Sequence, residues 1–267
     1  MLKQQRKLLQ RKKLNETIFN VAKTASFVIV LSYMIVISFP STPFSILNMK
    51  TNNYYVFASI LEKQEEQAVK NNLSLSNLLQ QGSPYLGNPS SAPITIIDFS
   101  DFQCYLCARY VKATEPLINQ TYIQTDKVVL VFKHLPNRGF DSMNPAIAAQ
   151  CTNDQGSFWD FHQLLYKNQK PIDSGWVSKE NLKKFAAKIP ELDMNKFNSC
   201  FDNQKYKSFV EKDVALASSL GFQETPSFVI VNSKDGSNPE ILNGAHPFAS
   251  FKAIIDKKLT EVENSSK

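Results

Sequence analysis

Histidine is scarce in this chain. His134, His162 and His246 lie far apart along 267 positions, and each reads as a packing or surface residue, not a metal ligand. Cysteine is hardly more abundant, at four. Cys104 and Cys107 form a single C-x-x-C, while Cys151 and Cys200 stand apart, so the second C-x-x-C of a four-cysteine zinc site is missing. No metal or other cofactor is expected. Internal repeats and low-complexity tracts are absent, which leaves no basis for a repeat array. Excess charge is absent from most of the chain as well. The net charge is +6, yet residues 1–23 hold seven of the 30 bases and only one of the 24 acids. The remaining 23 bases and 23 acids cancel, so the main domain offers no nucleic-acid surface.

What the first 49 residues do contain is a membrane signal. A basic block, Lys3 to Lys23, precedes the charge-free stretch Thr24 to Met49. Counted back to Ile18, with Lys23 able to snorkel, the apolar part reaches the roughly 20 residues that cross a bilayer. Positive charge before the span holds the N-terminus inside and sends the rest of the chain out. A cleaved signal peptide is the alternative, but the exit Ser38-Phe39-Pro40-Ser41-Thr42-Pro43 carries no A-x-A site, and an uncleaved anchor is the preferred reading. Either way the domain is exported, where an even number of cysteines is at home.

The expected organisation is a basic cytoplasmic tail over 1–23, a transmembrane anchor over 24–49, a helical linker over 50–81 and a catalytic domain over 82–267. Turn residues fill 82–93. Ile94–Phe99 and Lys127–Lys133 are short β-branched runs and read as buried strands. A helix is expected from about Cys104 into Leu117, with Pro116 kinking or ending it. Asn144 to Gly221 contains helical patterns only, predicted at 145–153, 157–168, 178–187, 194–201 and 206–220. Strands follow at Ser227–Val231 and Glu240–Leu242, then a closing helix, Pro247–Leu259. The fold class is α/β: a thioredoxin-like layout with an inserted helical domain at about 137–222. No dimerisation module precedes it beyond the 54–79 helix, so a monomer is expected.

Cys104-Tyr105-Leu106-Cys107 directly follows the strand Ile94–Phe99, and Thr225-Pro226 directly precedes another strand. A C-x-x-C after one strand and an X-Pro before a distant one outlines a redox site. Residues i and i+3 share one face of a helix's first turn, so the sulfurs can meet. The first cysteine sits at the helix N-terminus, where free N–H groups and the dipole favour an anion. Cys104 is therefore expected as the exposed nucleophile and Cys107 as the buried resolving thiol. Thr225 and Pro226 are expected to face them and to offer backbone to an extended substrate. Tyr105 and Leu106 sit between the two cysteines as supporting residues. Asp98 reads equally well as a buried carboxylate serving the resolving thiol or as a solvent-facing acid. Cys151 and Cys200 are expected as a structural disulfide, with a second active pair as the alternative.

The sequence resembles the DsbA-like thiol:disulfide oxidoreductases. The likeness is carried by Gly82-Ser-Pro-Tyr-Leu-Gly-Asn-Pro89, Ile97-Asp-Phe-Ser-Asp-Phe-Gln-Cys-Tyr-Leu-Cys107, Cys151 with Gln155-Gly-Ser-Phe-Trp-Asp-Phe-His162, Phe197-Asn-Ser-Cys200 and Leu220-Gly-Phe-Gln-Glu-Thr-Pro-Ser-Phe228. It runs in consistent order over roughly residues 82–260. The resemblance implies a thioredoxin domain with a helical insertion, a nucleophile at Cys104, a resolving cysteine at Cys107 and a cis-proline at Pro226. It also implies a quinone-linked membrane partner, DsbB-like or VKOR-like, that reoxidises the dithiol. This chain departs from the family at Tyr105, where proline is frequent, at Leu106, where the best-known oxidases have histidine, and at Glu224, where a small residue is usual. The expected function is introduction or exchange of disulfides in exported proteins by a domain outside the cell membrane, held there by one span. A reductase or isomerase of the same fold, or a non-catalytic peptide-binding chaperone domain, is the alternative.

Overall fold

A computed structural model describes residues 78–265. The expected tail, span and most of the linker lie outside the described residues; among those described, no helix is long and apolar enough to cross a membrane. The elements run β1 (Tyr85–Leu86), β2 (Ile94–Ser100), α1 (Tyr105–Ala113), α2 (Glu115–Ile118), a π-helical turn (Asn119–Ile123), β3 (Val128–His134), α3 (Met143–Asn153), α4 (Phe158–Lys167), α5 (Lys179–Ala186), α6 (Met194–Asp202), α7 (Lys207–Ser219), β4 (Ser227–Asn232), β5 (Glu240–Asn243) and α8 (Phe248–Ser265).

The five strands form one sheet in the order β1-β3-β2-β4-β5. β2 runs parallel to β3, with Ile97 opposite Val131, and antiparallel to β4, with Ile97 opposite Val229. Every residue of β2 and β3 is buried, because helices cover both faces of the sheet, and such strands read as unbroken apolar runs. Side chains alternate between faces. Ile94 and Ile96 point into the larger core with Leu130, Phe132, Phe228 and Ile230. Ile97 and Phe99 point the other way, toward Ala217 and Leu220 at the end of α7.

The helical block is not a separate body. Ala146–Ala149 of α3, Phe158, Phe161 and Leu165 of α4, and Phe197 and Phe201 of α6 belong to the same apolar cluster as Tyr110 of α1 and Phe251 and Ile255 of α8. Two further ties bind the block. Cys151 of α3 is disulfide-bonded to Cys200 of α6. Lys133 of β3, fully buried, pairs at 2.9 Å with the fully buried Asp213 of α7. The Lys133 ammonium also donates to Ser83 Oγ at 2.9 Å, and the second Asp213 oxygen accepts from the His134 N–H at 3.0 Å. Both Asp213 oxygens and two of the three Lys133 N–H groups are thus hydrogen-bonded, which helps a core to tolerate the charges.

Helix ends follow local chemistry. Ser178 caps α5 by accepting from the Asn181 N–H, and the Asp193 carboxylate caps α6 by accepting from Asn195 and Lys196. α7 ends at Gly221, with φ of +75°, where the Phe222 N–H reaches the Ala217 carbonyl at 2.9 Å and the Gly221 N–H reaches Ser218 at 3.1 Å. This closing turn aims residues 223–226 back at the start of α1. The helix expected to run from Cys104 into Leu117 instead breaks at Thr114; α2 restarts with Pro116 in its first turn, where the missing N–H costs nothing.

Candidate active site

Cys104 is the N-cap residue of α1, in extended conformation, and Cys107 lies within the first turn. Both thiols are free. The peptide bond between Thr225 and Pro226 is cis, and the Thr225 carbonyl accepts from the Cys104 thiol at 3.1 Å. The structure thus brings Cys104, Cys107 and Thr225–Pro226 together from two chain segments more than a hundred residues apart. Tyr105 points outward and is 72% exposed. Cys104 itself is only 3% exposed, not the open sulfur expected at a helix start, because the 225–226 loop roofs it.

A frame of polar contacts holds this corner. Asp101 is its centre: one carboxylate oxygen accepts from the Gln103 N–H at 2.8 Å, and the other from the N–H groups of Asn137 and Arg138 at 2.9 and 2.8 Å. It therefore shapes the turn into α1 and pins the loop after β3 to it. Gln103 reaches Asp141 and Ser142 and accepts from the Asp173 N–H. A side chain at Gly139 would meet Gln103 Nε2 at 2.3 Å and Asp173 Oδ1 at 2.4 Å, so a larger residue there would have to displace the ends of these two side chains. Gln169, just beyond α4, donates to the carbonyls of Phe102 and Cys104. Arg138 Nε donates to Thr225 Oγ1 at 3.2 Å, and Asn137 donates to the Gln223 carbonyl at 2.9 Å. The loop after β3 is thereby tied to both halves of the site.

The electrostatics of the two thiols diverge. Cys104 is lowered to about 5. The largest cause is the hydrogen bond from the Cys107 thiol; burial opposes it, and the Thr225 hydroxyl, the Cys107 N–H and the Arg138 charge assist. Cys107 is pushed well above the ordinary thiol range, first by its complete burial, then by Cys104 and by the Asp98 charge. Asp98 lies on the face of β2 that looks toward α1, 1% exposed, with Ser100 Oγ donating to it at 2.5 Å. Burial raises its carboxyl to about 7, against the pull of Ser100. Asp98 is thus buried and does not face solvent.

His134 and His162 are fully buried. Burial holds their imidazoles down to about 4 and about 3, so both are neutral packing groups at pH 7. Glu224 is exposed, and the charge that acts on Cys104 comes from Arg138, in the direction of a more acidic thiol. Leu106 packs against the core from a half-buried position. Among the described residues no group of His, Cys, Asp and Glu could hold a metal ion. Asp101 and Gln103 had a signal in the sequence, since Asp-x-Gln before a helix is a turn pattern. Arg138 and Gln169 had none, as their roles depend on loops meeting in space.

A thioredoxin-like sheet that carries two neighbouring thiols of unequal acidity under an X-Pro loop defines a protein thiol:disulfide oxidoreductase. The thioredoxin family profile matches residues 79–257, and the chain belongs to the DsbA-like thiol:disulfide oxidoreductases of that family. A probable disulfide bond formation protein D from Bacillus anthracis is 33% identical over 171 residues, covering 63% of this chain and 75% of the relative. The disulfide bond formation protein D of Bacillus subtilis is 26% identical over 181 residues, covering 67% and 78%. Among solved structures, oxidised BdbD from Bacillus subtilis aligns with a TM-score of 0.58 at 27% identity, over 67% of this chain and 94% of that one. Wolbachia pipientis alpha-DsbA1 aligns with a TM-score of 0.63 at 25% identity, over 71% and 96%.

Proposed function

We propose that this oxidoreductase works outside the cell membrane as a disulfide donor to exported proteins, anchored by residues 24–49 and followed through a linker over 50–81 by the catalytic domain. The observation that carries the oxidising direction is the contrast between Cys104, lowered to about 5, and Cys107, raised well above the usual thiol range. A stabilised thiolate favours the reduced protein, and a reduced form made stable makes the disulfide form a stronger oxidant.

In this reading the Cys104–Cys107 disulfide is attacked at Cys104 Sγ by a client thiolate. The bond to Cys107 breaks, its electron pair leaves with Cys107 Sγ, and a client–Cys104 disulfide forms. Cys107 is a poor anion and takes a proton, which Asp98 is placed to give. A second client thiolate then attacks the client sulfur of the mixed disulfide, and Cys104 departs as the stable thiolate. The client leaves oxidised by two electrons and the protein holds two reduced thiols. Thr225 and Pro226 line the path of the client backbone, while the exposed Tyr105 and half-buried Leu106 lie between the two cysteines in the chain and tune the sulfurs. A quinone-linked membrane partner, DsbB-like or VKOR-like, takes the two electrons away, and the protein acts as a monomer.

The reduction potential of the full chain, equilibrated against glutathione, tests the direction. A value well above ~−200 mV is expected; a thioredoxin-like value near ~−270 mV overturns the donor reading in favour of a reductase.

A further inference from the structure

Near the dithiol, five buried polar atoms have no hydrogen-bond partner among the described residues: Asp98 Oδ2 on β2, the Tyr110 hydroxyl on α1, Glu115 Oε2 on α2, and both ring nitrogens of His162 on α4. Buried polar atoms in native proteins are nearly always matched, and enclosed water does so where side chains do not. These five belong together. Glu115 Oε2 lies 3.8 Å from His162 Nε2, but the histidine is neutral and makes no ion pair. The Asp98 charge acts on both Glu115 and Tyr110, and Cys107 also acts on Tyr110.

Glu115 is a carboxylate with no evident reason to be inside. It is 3% exposed and has no cationic partner among the described residues. Its other oxygen accepts from Gln163 Nε2 at 2.8 Å. Gln163 is exposed and forms part of the wall of a groove of about 1040 Å3 between α1 and α4, beside Tyr105, Arg109, Lys112 and Asp160. One side chain therefore separates the buried carboxyl from solvent.

We propose that Glu115 is the outer carboxyl of a proton path that links the groove, past Gln163, to Asp98 and so to the Cys107 sulfur. Glu115 touches neither sulfur and acts through Asp98. When Cys107 leaves as a thiolate, the Asp98 carboxyl gives it a proton and becomes a carboxylate. The Glu115 carboxyl then returns a proton to Asp98, and Glu115 regains one from water in the groove. In the reverse direction each proton moves outward. Charge supports the arrangement: burial and then the Asp98 charge raise Glu115 to about 8, beside Asp98 at about 7, so both groups exchange protons near neutral pH. The titratable and polar groups that face Glu115 are Asp98 from β2, Tyr110 from α1, and His162 and Gln163 from α4, with Cys107 of α1 beyond Tyr110 and His134 of β3 behind His162. α8 packs on the other side of α2, where Lys252 pairs with Asp256 and Asp256 accepts from Tyr122.

The test is the pH profile for reduction of the Cys104–Cys107 disulfide by a dithiol peptide, followed by stopped-flow on the oxidised full chain in detergent and corrected for peptide thiolate. The unmodified protein is expected to show two falling inflections. Glu115→Gln is expected to lose the upper one and to slow the reaction about tenfold at pH 8, less than the ~100-fold typical of a group in direct contact with the moving proton. At pH 6 it should change the rate less than about twofold, and in an Asp98→Asn background it should cost nothing more, because the two act in series. A retained upper inflection, an equal loss at every pH, or a loss that multiplies with that of Asp98→Asn overturns the proposal. Should Glu115→Gln fail to fold, the surface change Gln163→Leu decides: a slower reaction at pH 8 with a larger solvent isotope effect supports the path, and an unchanged rate and isotope effect overturn it.

Discussion

The two cysteine pairs of this chain sit a few helices apart and behave as opposites. Cys151 and Cys200, 49 residues apart in sequence, are joined between two helices of one core. Cys104 and Cys107, three apart, are both free. All four are buried, so burial does not separate the pairs. What separates them is the surroundings. The structural pair joins α3 to α6, two helices of the same apolar core. The free pair sits at a helix start, where the Cys107 thiol hydrogen-bonds Cys104 and complete burial raises Cys107, and Thr225, Arg138 and Asp98 add to the divergence from three other segments. The contrast teaches that reactivity here is built by placing one thiol at a helix start, where its helical neighbour Cys107 hydrogen-bonds it and groups from other segments add to the effect.

Replacing single partners breaks the contrast in graded steps. Cys104→Ser should have the largest effect: disulfide transfer to a dithiol peptide falls to background while the denaturant midpoint hardly moves. The double change Cys151→Ala/Cys200→Ala should do the reverse. It should lose about 2–4 kcal/mol of stability by urea titration, yet retain the pH midpoint for alkylation of Cys104. The smallest effect is the sharpest probe. Arg138→Met removes the charge that assists the Cys104 anion and should raise the alkylation midpoint from about 5 by up to about one unit. Because the reduced form gains stability from a thiolate whose pKa is depressed, that gain is complete above pH 9 and is lost as pH falls through about 5. In Arg138→Met the lower edge of this window should move upward. An unshifted thiolate absorbance titration would show that Arg138 only ties loops together.

How much of this was legible in the sequence depends on how local each feature is. Helices α3 to α7 appear where the helical runs are, within a residue or two; Ser178 and Asp193 mark the starts of α5 and α6, and Gly221 marks the end of α7. β1 is not legible: Tyr85 and Leu86 lie among turn residues and become a strand only by pairing with Val131 and Leu130. The cysteines and Thr225–Pro226 were visible because their residue types name the chemistry. Asp98 stood undecided, since alternation along one strand cannot tell which face is covered on both sides. Glu115 was invisible as a site residue, because a charged residue beside a proline at a helix break reads as solvent-facing. Its burial follows from α4 packing over α2, a fact of tertiary structure.

The roof over Cys104 carries one more implication. In the dithiol form the Thr225 carbonyl is engaged by the Cys104 S–H at 3.1 Å. A sulfur bonded to another sulfur has no hydrogen to offer, so this acceptor stands open in the Cys104–Cys107 disulfide and stays open in the client–Cys104 disulfide. An amide N–H of the client chain can occupy it both before attack and while the two chains are joined. The grip on the client thus precedes the covalent bond, and only a Cys104 that carries a hydrogen closes it.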